Sequence, residues 1–279
     1  MRTIYFILSL LCTAMGLTAC NELDTGSRLE KISIEDALRQ TTRNILIEDF
    51  TGQRCVNCPE AANQAAEIQH SFGTGRAIVV AIHGGPLAVS ETDSPIGLAN
   101  EQSQQLNEMF IPQNESYPQG RIDRSGSYCA YTAWMDRAVN RLLVQPGASI
   151  SIEREGEVES EAESESRVKL RIKVVGSNSQ TVLTRLHVWL TEDHIIAGQI
   201  VPDTGFDAYY VHSHVFRTAL TPLEGEACTL SESEPQERTF TATLKSKWVL
   251  QNMHIVAFVC NDETGEVMQA EEIQVISNK

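Results

Sequence analysis

The chain has 279 residues, 42% of them hydrophobic and 21% charged, with a formal net charge of −15. An acidic balance of that size excludes nucleic acid as a partner and disfavours adsorption to an anionic membrane surface. The length suffices for one large domain or, on this reading, two.

The first twenty residues set the expected compartment. Arg2 supplies a positive start, Ile4 to Leu11 an apolar run too short to span a bilayer, and Leu17-Thr18-Ala19-Cys20 a lipobox-like end. Residues 1–19 are therefore expected to be a lipoprotein signal peptide. Cys20 is the expected lipidation site, and residues 20–39 hold the lipidated cysteine and a polar tether. More than one acyl chain makes a stable membrane anchor.

Residues 40–145 alternate between apolar runs and helical patterns. Ile45 to Phe50 reads as a short buried strand. Pro59 to Phe72, Ala-rich and ended by Gly73, reads as a helix. Ala77 to Ile82 is the continuous apolar run of a strand covered on both faces. A helical insertion is expected over 96–110, a short strand over 119–124 and a helix over 132–144. This order is an α/β layout.

From residue 149 to 279 the period becomes two. Glu holds every odd position from Glu153 to Glu165. Arg167, Lys169, Arg171 and Lys173 then hold odd positions, while Val168, Leu170, Ile172 and Val174 hold even ones. Paired as a hairpin, such strands set acid against base on the wet side and leave an apolar face beneath. Further alternation over 185–190, 240–244, 254–260 and 267–276 predicts an immunoglobulin-like β-sandwich. The segment 196–221, with Pro202, Gly205, two Tyr and two His, reads as a long loop of the kind that carries function.

The chemistry concentrates in Asp49-Phe-Thr-Gly-Gln-Arg-Cys55-Val-Asn-Cys58-Pro59. A Cys-x-x-Cys between a buried strand and a helix brings two sulfurs to a helix N-terminus, where the dipole favours a thiolate. In an exchange reaction Cys55 would attack and Cys58 would resolve the mixed disulfide. Arg54 would add a cation beside Cys55. Two other readings stand open: a structural or relic disulfide, and a zinc site, which lacks a second cysteine pair at ligand spacing. His212 and His214 are a candidate binding pair, for metal or for loop hydrogen bonds. No metal or cofactor is assigned. With Cys12 in the signal and Cys20 lipidated, Cys55, Cys58, Cys129, Cys228 and Cys260 remain, an odd set. A Cys228–Cys260 bridge would contribute about 3–4 kcal/mol on the chain-entropy view; the alternative is that Cys260 is a buried strand residue.

The cysteine motif resembles the thioredoxin-like proteins, with Asp49-Phe50 six residues ahead of the first Cys. The resemblance implies a proton-relay role for Asp49. It also implies a cis-proline platform at Pro118, with the Tyr117 backbone beside a bound peptide. Arg54 and the Val56-Asn57 dipeptide depart from the family's usual residues and leave the redox direction open. A lipobox, Phe-Thr-Gly-x-Arg-Cys-x-Asn-Cys-Pro, Tyr-Pro-x-Gly, a β-rich second half and Tyr210-Val-His212-Ser-His214 together resemble the twenty-eight-kilodalton outer-membrane-protein family of bacterial lipoproteins. That resemblance implies a lipid anchor in the outer membrane, facing periplasm or exterior, and a surface or adhesin-like role without a settled activity. Two functions are carried forward: thiol–disulfide exchange with envelope or extracellular proteins, and non-catalytic surface binding with the thioredoxin-like part as scaffold.

Overall fold

The computed structural model describes residues 34–94, 96–113, 115–161 and 165–276, the backbone alone at 160 and 161. The expected signal peptide, the Cys20 anchor and the first part of the tether lie outside the described residues. The chain divides into two units, Met1–Ala37 and Leu38–Lys279. Of the first, only the start of a short helix, α1 (Ile34–Gln40), is described.

The second unit is mixed α/β with strands predominant. Its elements run β1 (Ile45–Thr51), α2 (Cys58–Phe72), β2 (Ala77–His83), α3 (Glu101–Phe110), β3 (Gln119–Ile122) and α4 (Trp134–Leu142). Then come β4 (Ala148–Glu161), β5 (Glu165–Gly176), β6 (Val182–Glu192), β7 (Ile195–Gln199), β8 (Asp207–His212) and β9 (Val215–Ala219). Last are β10 (Glu226–Leu230), β11 (Gln236–Lys245), β12 (Met253–Asn261) and β13 (Val267–Gln274). Among the described residues these strands form an eight-stranded sheet ordered β13-β12-β6-β9-β2-β1-β3 with β10 also on β6. A three-stranded sheet, β11-β5-β4, and a β7–β8 hairpin complete them.

The domain boundary that the sequence places at 145–149 falls in the α4–β4 connection and the first two residues of β4. The large sheet crosses that boundary. β9 joins β2 through the parallel pair Ala81–Val215, and the Ala81 N–H donates to the His214 carbonyl at 2.8 Å.

Three apolar layers follow from the strand alternation. Val168, Leu170, Ile172 and Val174 of β5 point down onto Leu186, Val188 and Leu190 of β6 and Ile255, Ala257 and Val259 of β12. On their wet side Glu153 faces Arg171, Glu155 faces Lys169 and Glu159 faces Arg167. Exposed pairs of this kind add tenths of a kcal/mol each, so the buried even positions dominate the register. β6 and β12 are apolar on their second face too. Trp189, Val256 and Phe258 meet Leu46, Phe50, Ile78, Val80 and Ile82 of β1 and β2 in a second core, closed by Leu106 of α3. The opposite face of β1 and β2 receives α2 and α4 through Ile47, Ala61, Ala65, Ile68, Val79 and Trp134.

Trp134 also explains Gly120 on β3. A Cβ at Gly120 would lie 2.2 Å from the indole Cζ2. We predict that Gly120→Ala costs about 1–3 kcal/mol by overpacking, measured as a lowered urea midpoint at unchanged slope. A shift below a few tenths of a kcal/mol would count against this packing.

One expectation is corrected and one open alternative is decided. The segment 196–221 is not a loop; it holds β7, β8 and β9. Its mixed composition hides the pattern, because β8 buries few of its residues and its partner β7 is only five residues long. Cys228 and Cys260 do not pair; both are buried free thiols. They lie on strands flanking β6, opposite Thr184 and Arg185. They are therefore two strand spacings apart, about 10 Å, and on opposite faces, beyond the reach of a disulfide.

Candidate functional site

β1 is buried along its whole length and runs into Gly52-Gln53-Arg54-Cys55. The turn closes with Cys55 N–H to Gly52 O at 3.0 Å and Cys58 N–H to Cys55 O at 3.3 Å. Cys58 then opens α2, with Pro59 in its first turn, where a missing N–H costs nothing. Cys55 and Cys58 are joined in a disulfide, their Cα atoms 5.4 Å apart. Gly52 is required by close approach: a Cβ there would sit 2.6 Å from the Leu87 carbonyl. That carbonyl accepts the Arg54 N–H at 2.8 Å.

The motif is covered by the strand β7. The Gln199 amide Nε2 donates to Cys55 O at 2.8 Å. The Ile200 N–H donates to Gln53 O at 2.8 Å, and Gln53 Nε2 donates to Gly198 O at 2.9 Å. The Leu98 N–H donates to Gln53 Oε1 at 3.0 Å. Buried amides with all partners in place are costly to separate. As a result Cys55 is 2% exposed and Cys58 3%. The first cysteine, expected at an open helix tip, is buried instead. Arg54 turns its side chain to solvent.

Behind the disulfide a partly open cavity of about 260 Å³ lies between α2, the ends of β1 and β2, and β8. Asp49, Cys58, His83, Gln199, Tyr210, His212 and His214 line it. Burial raises the Asp49 carboxyl to about 8, and its Oδ1 has no hydrogen-bond partner. Burial lowers His212 to about 4 and His83 well below the usual histidine value. His83 Nδ1 and His212 Nε2 also have no partner. The two rings sit edge to face at 5.4 Å, and Tyr210 lies 4.7 Å from His212.

His212 and His214 do not alternate along one strand. β8 ends at His212, and His214 takes φ 58°. His214 Nε2 meets Gln69 Oε1 at 3.1 Å and its Nδ1 lies 3.4 Å from Asp193. Among the described residues no group of three or more His, Cys, Asp or Glu side chains is arranged to hold a metal ion.

The Tyr117–Pro118 bond is cis. It precedes Gln119, the antiparallel partner of Phe50, so it lies at the same end of β1 as the cysteine turn. The Tyr117 hydroxyl donates to Asn107 Oδ1 at 2.7 Å and lines a second cavity with Gly85 and Pro86. Sequence reading passed over Gln53 and Gln199 and took His83 as structural. Nothing local marks the two glutamines, since the partners that tie β7 to the cysteine turn are over forty residues away; His83 ends an apolar run, a position that looks structural.

A family model described as Outer membrane protein Omp28 matches residues 105–279. The chain belongs to the Omp28 family. Its place is the outer membrane. No described helix is long and apolar enough to cross a membrane. The fold is similar to that of HBP35 of Porphyromonas gingivalis, with TM-score 0.60 at 16% identity, over 84% of this chain and 76% of that one. A domain of the outer membrane lipoprotein Omp28 from Porphyromonas gingivalis matches at TM-score 0.30 and 19% identity. That match spans 46% of this chain and 88% of that domain. No curated protein matches the chain in sequence.

Proposed function

We propose that this Omp28-family protein is a non-catalytic binding lipoprotein, anchored through a lipid on Cys20, in which the Cys55–Cys58 bridge is a staple. On this reading residues 40–145 are a thioredoxin-like unit used as scaffold and residues 149–279 an immunoglobulin-like sandwich. The carrying observation is the burial of both cysteines beneath Gln199 and β7. Exchange requires a thiolate in line with a sulfur, and a protein-sized attacker has no path to one here. Contacts with envelope or extracellular proteins fall to the outer face of the β7–β8 hairpin. There Ile196 pairs with Val211, and Ile196, Tyr209 and Val211 are exposed. Clustered exposed apolar groups of this kind mark interaction surfaces.

Thiol–disulfide exchange is the second reading, favoured by one observation: an ionisable carboxyl, Asp49, held near neutrality in the cavity that Cys58 lines. In that reading Cys55 attacks, Cys58 resolves, Asp49 relays the proton and Pro118 supports the substrate, after the hairpin lifts. One experiment decides between them. The folded protein is held with dithiothreitol, and alkylation of Cys55 and Cys58 is followed by mass spectrometry beside an insulin-reduction assay. The expected result is slow alkylation at the rate of unfolding and equal insulin turnover by wild type and Cys55→Ser. Fast labelling together with turnover lost in Cys55→Ser would overturn the staple reading.

A further inference from the structure

The cavity behind the disulfide is a built polar site whose groups the staple reading does not use. Asp49, His83 and His212 are each more than nine-tenths buried, and each presents one polar atom without a partner. Register explains the grouping. β1 and β2 are parallel with Asp49 opposite Ala81 and Thr51 opposite His83, so Asp49 and His83 share a face as a diagonal pair. Two residues along and one strand across is about 8 Å at the backbone, a gap one small group fills. β8 then lays His212 against His83.

The three atoms have one character. Burial keeps both His83 and His212 neutral. A neutral imidazole has one N–H and one bare nitrogen, and either nitrogen can be the bare one. With the proton on the opposite nitrogen, His83 Nδ1 and His212 Nε2 each offer a lone pair, and a carboxylate oxygen is a third acceptor. A group that donates three times satisfies all three acceptors at once.

We propose that this cavity binds a primary ammonium group, its three N–H donors directed to Asp49 Oδ1, His83 Nδ1 and His212 Nε2. The surroundings favour a cation. Glu60 of α2 and Asp207 of β8 both act on the Tyr210 phenol beside the cavity. Arg217 acts on both imidazoles and is itself paired with Glu192 at 2.8 Å, and His214 is held by Asp193. Cys58, facing from α2, is tied in its disulfide and does not titrate. An ammonium group needs the ionised form of Asp49, whose buried carboxyl titrates near 8, so binding near pH 7 releases a proton. This site stands whether or not the disulfide exchanges.

The test is calorimetry on the full protein with n-butylammonium, tetramethylammonium and n-butanol as probes, in buffers of different ionisation enthalpy. Expected is saturable binding of n-butylammonium alone, with about one proton released near pH 7 and almost none well above the Asp49 titration. Asp49→Asn is expected to weaken binding about ten- to hundredfold and abolish proton release. His212→Gln should weaken it less and keep the release, which preserves the test if one variant fails to fold. Nα-acetyl-lysine amide distinguishes the sources: binding at least as tight assigns a lysine of a partner protein, and binding of the free amine alone assigns a small metabolite. Equal affinity for tetramethylammonium or butanol, no n-butylammonium binding, or unchanged affinity in both variants would overturn the proposal.

Discussion

Arg124→Met is expected to lower the unfolding free energy by about 3–5 kcal/mol, the cost of leaving a buried charge without its partner. Arg124 sits in the second core and grips Glu48 of β1 with Nε at 3.0 and 3.1 Å and Nη2 at 2.7 Å. Both side chains are nearly inaccessible. The guanidinium also lies 4.6 Å from the Phe110 ring centre and 5.0 Å from that of Phe258. It thus joins β1, α3 and β12, three elements far apart in sequence. Removing it strands the Glu48 carboxylate in an apolar layer. The double variant Arg124→Met with Glu48→Leu should recover most of the loss, since an apolar pair of similar volume often replaces a buried ion pair without cost. Chemical denaturation of the four members of the cycle measures this. A single variant within 1 kcal/mol of wild type would remove the pair from the account of stability.

Asp49 gives the second large effect, and its sign is opposite. Its carboxyl is raised from 3.8 to about 8 by burial. Between those values the native state keeps a proton that the unfolded chain has released. Stability therefore falls as pH rises through that window, and is flat below about 4 and above about 8. A shift of that size corresponds to roughly 6 kcal/mol in total. Asp49→Asn removes the titration. It is expected to change stability little near pH 4 and to stabilise the protein by several kcal/mol near pH 8. The check is the difference between urea curves of the two proteins across that range. A constant difference at all pH values would show that Asp49 is ionised or solvated in the native protein. The wild-type residue is then a stability cost kept at the one place where the cavity needs an ionisable acceptor.

The N-terminal half reads clearly because its signals are local. Ile45 to Phe50, Ala77 to Ile82 and the Ala-rich stretch after Pro59 are continuous apolar or helical patterns. The helix begins one residue earlier than expected, at Cys58. In the 150–174 stretch strict alternation dictates which face is buried and which is charged, and the hairpin register follows from it. The 196–221 stretch is harder, because β7 is short, β8 buries little of its length, and Ile196, Phe206, Tyr209 and Val211 stay outside.

What the sequence determined by itself was the alternation of apolar residues, the Cys-x-x-Cys at the head of a helix, the acid before it and the Tyr-Pro step after it. Those are properties of neighbours in the chain, set by backbone period and side-chain chemistry. What only the tertiary structure decided was who covers whom. The Gln199 amide lies 144 residues from the Cys55 carbonyl it caps, and Arg124 lies 76 from Glu48. β9 carries the large sheet across a boundary that composition alone would draw. Such pairings leave no local period, because they arise from sheet order and from the need to satisfy every buried polar group once the layers close.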